Sequence, residues 1–95
     1  MKKAIVVDQK DNVATLLTDV EKNDQVQVKT GNEVTECEVL EKIKFGHKIA
    51  LSTIAKGQDI VKYGEVIGRA SEEIVKGRHV HVHNVESLRG RGDLA

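Results

Sequence analysis

The chain has 95 residues, with 15 basic and 15 acidic side chains, four histidines, one cysteine and only two aromatics, Phe45 and Tyr63. That length fits one small domain, and the balanced charge with so few rings supplies neither the field nor the stacking platform that nucleic acid or an anionic membrane would need. The lone Cys37 excludes an internal disulfide, and the apolar run at residues 4–7 is too short for a leader core of ~7–15 residues or a span of ~20; a cytoplasmic protein is expected.

In chain order, short runs rich in β-branched residues come first, at residues 3–7, 13–17 and 25–29, separated by polar turn material such as Asp8-Gln9-Lys10-Asp11-Asn12. In Gln25-Val26-Gln27-Val28-Lys29 the alternation is clean, so Val26 and Val28 should face inward. Thr30-Gly31-Asn32 reads as a turn into residues 33–40, where Thr35, Cys37 and Val39 share one face. Cys37 is expected as a small core residue, because free cysteine is among the most buried types. No segment carries a long 3.6-residue pattern; residues 51–55 and 71–74 offer single helical turns at most.

An internal repeat organises the remainder. Val20-Glu21-Lys22-Asn23-Asp24-Gln25-Val26 matches Ile54-Ala55-Lys56-Gly57-Gln58-Asp59-Ile60 and Ile74-Val75-Lys76-Gly77-Arg78-His79-Val80. The shared pattern is aliphatic, any residue, Lys, Gly or Asn, two residues, aliphatic. Asn23, Gly57 and Gly77 are therefore predicted at positive φ. The aliphatic ends should pack into the core, with Lys22, Lys56 and Lys76 in solvent. Three copies at unequal spacing are too few for a solenoid, so the repeat implies pseudo-symmetry inside one β fold. A core without large rings must come from Val, Ile, Leu and Ala, and association, with a second copy or with a partner, is the expected source of further stability.

The segment His79-Val80-His81-Val82-His83-Asn84 concentrates three of the four histidines. On a strand they would share one face, about 6.6–6.8 Å apart at each step, with Val80 and Val82 behind them. Two imidazoles at that spacing can converge on one metal ion; three on one straight strand cannot. A solvated polar face, substrate or proton contacts, and a metal site are the three readings this ridge allows.

These turns, with Gly46-His47-Lys48-Ile49-Ala50-Leu51, Ile60-Val61-Lys62-Tyr63-Gly64, Val66-Ile67-Gly68-Arg69-Ala70 and the histidine segment, resemble the N-terminal domain of the altronate and galactarate dehydratase family, of the SAF or antifreeze-like type. The resemblance covers most of the chain and is strongest over residues 46–84. It implies a mostly β, β-clip fold over residues 1–86, with a linker-like mobile tail at 87–95. It also implies that a large catalytic region lies on another chain. This polypeptide would then be the small subunit of a two-component hydro-lyase acting on a sugar acid such as altronate or galactarate. The small subunit of sulfolactate sulfo-lyase and a non-catalytic sugar-acid-binding module are the alternatives.

The family reaction removes a proton beside a carboxylate and water, or sulfite, from the neighbouring carbon. It therefore needs a held carboxylate, a stabilised enolate and a protonated leaving group. The resemblance implies a divalent metal, Fe²⁺ or Mn²⁺, held in part by the partner. Candidates here are His81 and His83 for metal or proton roles, His47 beside the uncovered backbone of Gly46, and Asn84 as a hydrogen-bond donor. Lys48, Lys62, Tyr63 and Arg69 are candidates for substrate recognition. Tyr63 reads equally as a core plug, and Arg69 as half of a surface ion pair.

Overall fold

A computed structural model of the protein describes residues 2–87. Among the described residues are nine strands: β1 (Lys2–Val6), β2 (Val13–Leu16), β3 (Gln25–Thr30), β4 (Glu33–Glu38), β5 (Lys48–Ala50), β6 (Asp59–Lys62), β7 (Glu65–Ala70), β8 (His79–Val80) and β9 (Val85–Ser87). They form a six-stranded sheet, β4-β3-β1-β2-β5-β8, and a three-stranded sheet, β6-β7-β9. Only β1 and β3 pair in parallel; the other pairs are antiparallel. The mostly β fold expected from sequence is the one observed. Among the described residues there is no helix, so none could cross a membrane. Residues 51–55 and 71–74 are not helical turns: each carries the chain through a bend into an isolated bridge, Ile54 to Ile74.

Alternation decides which side chains reach the core. One face of the large sheet contributes Ala4, Val6, Ala14, Leu16, Val26, Val28, Cys37 and Ile49 to a first apolar cluster. At the β5–β8 end its other face meets the small sheet, where Val13, Ala50, Ile54, Ile60, Ala70, Ile74 and Val80 form a second. Val26, Val28 and Cys37 are buried as predicted, and burial pushes the Cys37 thiol pKa up. Thr35, placed on the same face, is exposed, because β4 is an edge strand and the core ends beneath its middle.

Asn23, Gly57 and Gly77 have φ of 77°, 87° and 92°. All six aliphatic ends of the three repeats are at most 1% exposed, and Lys22, Lys56 and Lys76 lie in solvent. A fourth copy escapes the pattern because Phe45 replaces its lysine: Ile43-Lys44-Phe45-Gly46-His47-Lys48-Ile49, with Gly46 at φ 83°. In each copy the residue after the positive-φ position donates its N–H three residues back: Asp24 to Glu21, His47 to Lys44, Gln58 to Ala55 and Arg78 to Val75, at 2.9–3.1 Å. Positive φ at the third turn position alone defines a type II turn. The copies pair in twos through the antiparallel bridges Val20–Ile43 and Ile54–Ile74.

The domain boundary placed after residue 86 falls inside β9, which runs on to Ser87. The rest of the predicted tail, 88–95, lies outside the described residues.

The turn glycines differ in what surrounds them. A Cβ on Gly57 would meet open space, whereas one on Gly77 would stand 2.2 Å from the Glu38 carbonyl oxygen. Gly57→Ala should cost about 1–2 kcal/mol for its left-handed backbone alone. Gly77→Ala should cost clearly more, because backbone must also move; urea denaturation of the two variants checks the ranking.

Candidate functional site

Strands β5 and β8 pair with Ile49 opposite His79 and Lys48 opposite Val80. Continuing that register sets His47, at the end of one type II turn, opposite His81, just past the end of another. His47, His79 and His81 thus follow the face that Ile49 buries, at the rim where the first core cluster stops. Their ring centroids are 4.6 Å apart for His47–His81, 5.0 Å for His47–His79 and 5.1 Å for His79–His81. His47 Nδ1 and His79 Nε2 are hydrogen-bonded at 2.8 Å, one donating and the other accepting.

The straight ridge expected from sequence does not form. β8 ends at Val80, and residues 81–84 turn away, which leaves Val82 80% exposed. The turn draws His79 and His81 together more closely than a strand would, and a histidine from another element joins them. His83 is exposed, with its centroid 5.3 Å from that of His79. Asn84, expected as a donor to ligand, is buried and uses its amide on the chain itself, accepting from His81 N–H at 3.0 Å and donating to the His79 carbonyl at 2.8 Å.

The remaining candidates are spread out. Lys48 stands beside His81 in a recess of about 200 Å³ with Ile67, Val82, Val85 and Ser87. Burial and the nearby Lys62 push the Lys48 pKa down. Tyr63 is 53% exposed at φ 56°, with the Lys62 ammonium 4.8 Å above its ring, so it is not the core plug. Arg69 pairs with Asp59 at 3.5 Å on the surface. Glu41, not singled out from sequence, accepts His79 N–H at 3.1 Å and approaches Arg78 at 3.9 Å. With Glu72, Glu73, Arg78, His83 and Asn84 it lines a polar cavity of about 310 Å³. Nothing in its local sequence distinguishes Glu41 from the other surface carboxylates.

Burial, followed by the neighbouring imidazoles, pushes the His79 pKa down to about 4, against a small opposing pull from Glu41. The pKa of His81 is lowered as well, by desolvation, His47, Lys48 and His83. His79 is therefore neutral near pH 7, the protonation state a metal ligand requires. One nitrogen from each of His47, His79 and His81 falls within 4.8 Å of the others. Nitrogens on one tetrahedral ion at 2.0–2.1 Å stand about 3.3 Å apart. The three-imidazole donor set suits Zn²⁺, Fe²⁺ or a similar borderline cation.

Residues 2–88 match the family described as the altronate/galactarate dehydratase SAF domain. The chain belongs to that family. This SAF domain is 41% identical to altronate dehydratase of Bacillus subtilis over 87 residues, 92% of the chain but only 17% of the relative. It is 42% identical to altronate dehydratase of Escherichia coli over 77 residues, 81% of the chain and 15% of the relative. It is also 44% identical to (2R)-sulfolactate sulfo-lyase subunit alpha of Chromohalobacter salexigens over 52 residues, 55% of each. The SAF domain thus spans about a sixth of the altronate dehydratases it resembles and about half of the sulfo-lyase subunit.

Because the unfolded chain protonates His79 near 6.5 and the folded domain resists until about 4, the native state loses stability as pH falls through that window and keeps it above. Melting of the metal-free domain should drop between pH 7 and pH 4, and His79→Gln should flatten the slope. Equal slopes in the two proteins would contradict the placement of His79.

Proposed function

We propose that this domain is the small component of a lyase that eliminates water from a sugar acid, acting in the cytoplasm with a larger catalytic polypeptide. The observation that carries this reading is the convergence of His47, His79 and His81 in a chain of the altronate/galactarate dehydratase SAF family. These three residues would hold a divalent metal, Fe²⁺ or Mn²⁺, which would supply Lewis acidity toward the substrate carboxylate and the developing enolate. The Lys48 ammonium, beside His81 in its recess, would attract the carboxylate, and exposed His83 would deliver a proton to the departing hydroxyl. In the balanced reaction a C–H bond and the neighbouring C–O bond break, a C=C bond forms, and water leaves.

The imidazoles stand on an open rim where water competes for every contact. A larger polypeptide closing over the rim would exclude that water and strengthen each electrostatic interaction. The outer face of the large sheet also favours association: Val34, Lys29, Ile5 and Thr15 lie in one cross-strand row, and Ile5, Leu17 and Val34 are 41–53% exposed. Exposed apolar side chains gathered on one sheet face mark an interaction surface rather than a solvated one.

Elimination of sulfite is the second reading, favoured by the match to a sulfolactate sulfo-lyase subunit alpha. A free-standing sugar-acid binder is the third. Turnover assays separate them. The domain alone should be inactive and should become active with the large component, on altronate or galactarate under the first reading and on sulfolactate under the second. His47→Ala combined with His81→Ala should lower reconstituted turnover about 100-fold or more; unchanged turnover would refute the site. Sugar-acid binding by the isolated domain, with no gain from a partner, would favour the third reading.

Metal should also stabilise the isolated domain. At about 100 times Kd, linkage gives about 2.7 kcal/mol, a rise of roughly 10–20 °C in Tm for a domain of this size. A chelator should reverse the rise, and His47→Ala should abolish it.

A further inference from the structure

We propose that Asn84 is a positioning residue: its side-chain amide folds the histidine segment back on itself and so creates the imidazole cluster. Among the described residues Asn84 is the one buried polar side chain, 5% exposed. A buried amide is tolerated only when its donors and acceptor are used, and here both ends are. Oδ1 accepts the His81 N–H at 3.0 Å, and Nδ2 donates to the His79 carbonyl at 2.8 Å. The Asn84 backbone completes the closure. Its N–H donates to the His81 carbonyl at 3.1 Å, and its carbonyl accepts from Ser71 N–H at 3.0 Å, which ties the turn to the residue following β7.

Continued as a strand, this segment would set His79 and His81 about 6.6–6.8 Å apart and carry His83 twice as far. With the amide in place the rings of His79 and His81 stack at 5.1 Å with an interplanar angle of 12°, and that of His83 comes within 5.3 Å of His79. The side chain must accept at one end and donate at the other from a short stem. Asparagine does both; aspartate offers acceptors only, and glutamine would set the amide one methylene further out. The amide hydrogen-bonds only backbone of the ligand-bearing residues, so its proposed part is to set ring geometry.

The consequence for metal binding rests on the reading of His47, His79 and His81 as ligands; the consequence for ring geometry does not. Both are measured on the metal-free, isotope-labelled chain and its Asn84→Ala and Asn84→Asp variants. NMR reads ring-to-ring NOEs among His47, His79 and His81, and calorimetry reads Zn²⁺ affinity. Both variants are expected to keep the amide pattern of the large sheet and to lose the His79–His81 ring NOEs. Their Zn²⁺ affinity should fall about 10–100-fold, as when a residue supporting a ligand is removed. Asn84→Asp, which keeps the acceptor for His81 N–H, should be the milder. Ring NOEs that persist in both variants would overturn the proposal, as would collapse of the whole amide pattern in both, since Asn84 would then be a folding residue. If the unaltered domain shows the ring NOEs but takes no Zn²⁺, the metal reading fails, and the NOEs of the variants alone decide the role of Asn84.

Discussion

The architecture depends on one backbone constraint repeated four times: a type II turn whose third residue has positive φ. Asn23, Gly46, Gly57 and Gly77 occupy it with φ of 77–92°. Each turn carries the chain out of the core after one aliphatic residue and returns it six residues later on another. Eight buried aliphatics therefore frame four turns, and cross-bridges between the copies lock them in pairs. A domain with two aromatics and no helix among its described residues gains its order from this packing of small branched side chains around fixed corners. Gly77 is the tightest corner, since the Glu38 carbonyl occupies the space a side chain would need.

The same constraint produces the candidate site. The turn at Gly46 delivers His47, and the turn at Gly77 delivers His79 and then His81. Antiparallel pairing of β5 and β8 sets the two deliveries face to face. The rings fall on the buried side of the sheet at its last, two-residue strand, where apolar packing ends and solvent begins. That half-buried position costs the imidazolium form its hydration while leaving the nitrogens reachable. Clustered imidazoles at the edge of solvent, with the His79 pKa pushed down chiefly by burial, follow from where the strand stops.

Much of this was legible in the sequence, for physical reasons specific to each part. Positive φ could be read at Asn23, Gly57 and Gly77 because few residues accept it and the flanking aliphatics repeat at fixed spacing. Val26, Val28 and Cys37 followed from alternation. The copy at Gly46 was missed because Phe45 occupies the lysine position, although that position faces solvent and tolerates either residue. The pairing of His47 with His79 and His81 depends on a strand register set by contacts 30 and 32 residues apart in sequence, which periodicity does not report. The end of β8 after Val80 was hidden because His79-Val80-His81-Val82-His83 alternates like a strand; the competing signal was Asn84, whose amide captures the backbone locally. Family membership was legible from the ordered motifs, and the match over residues 2–88 agrees with it.

The central claim is that His47, His79 and His81 act together as one ligand set. X-ray absorption at the metal edge of the Zn²⁺-loaded domain tests it most directly. The account predicts a first shell containing three imidazole nitrogens at about 2.0–2.1 Å, with one lost in His47→Ala. A shell of oxygen donors with a single imidazole, or a spectrum unchanged by His47→Ala, would contradict it.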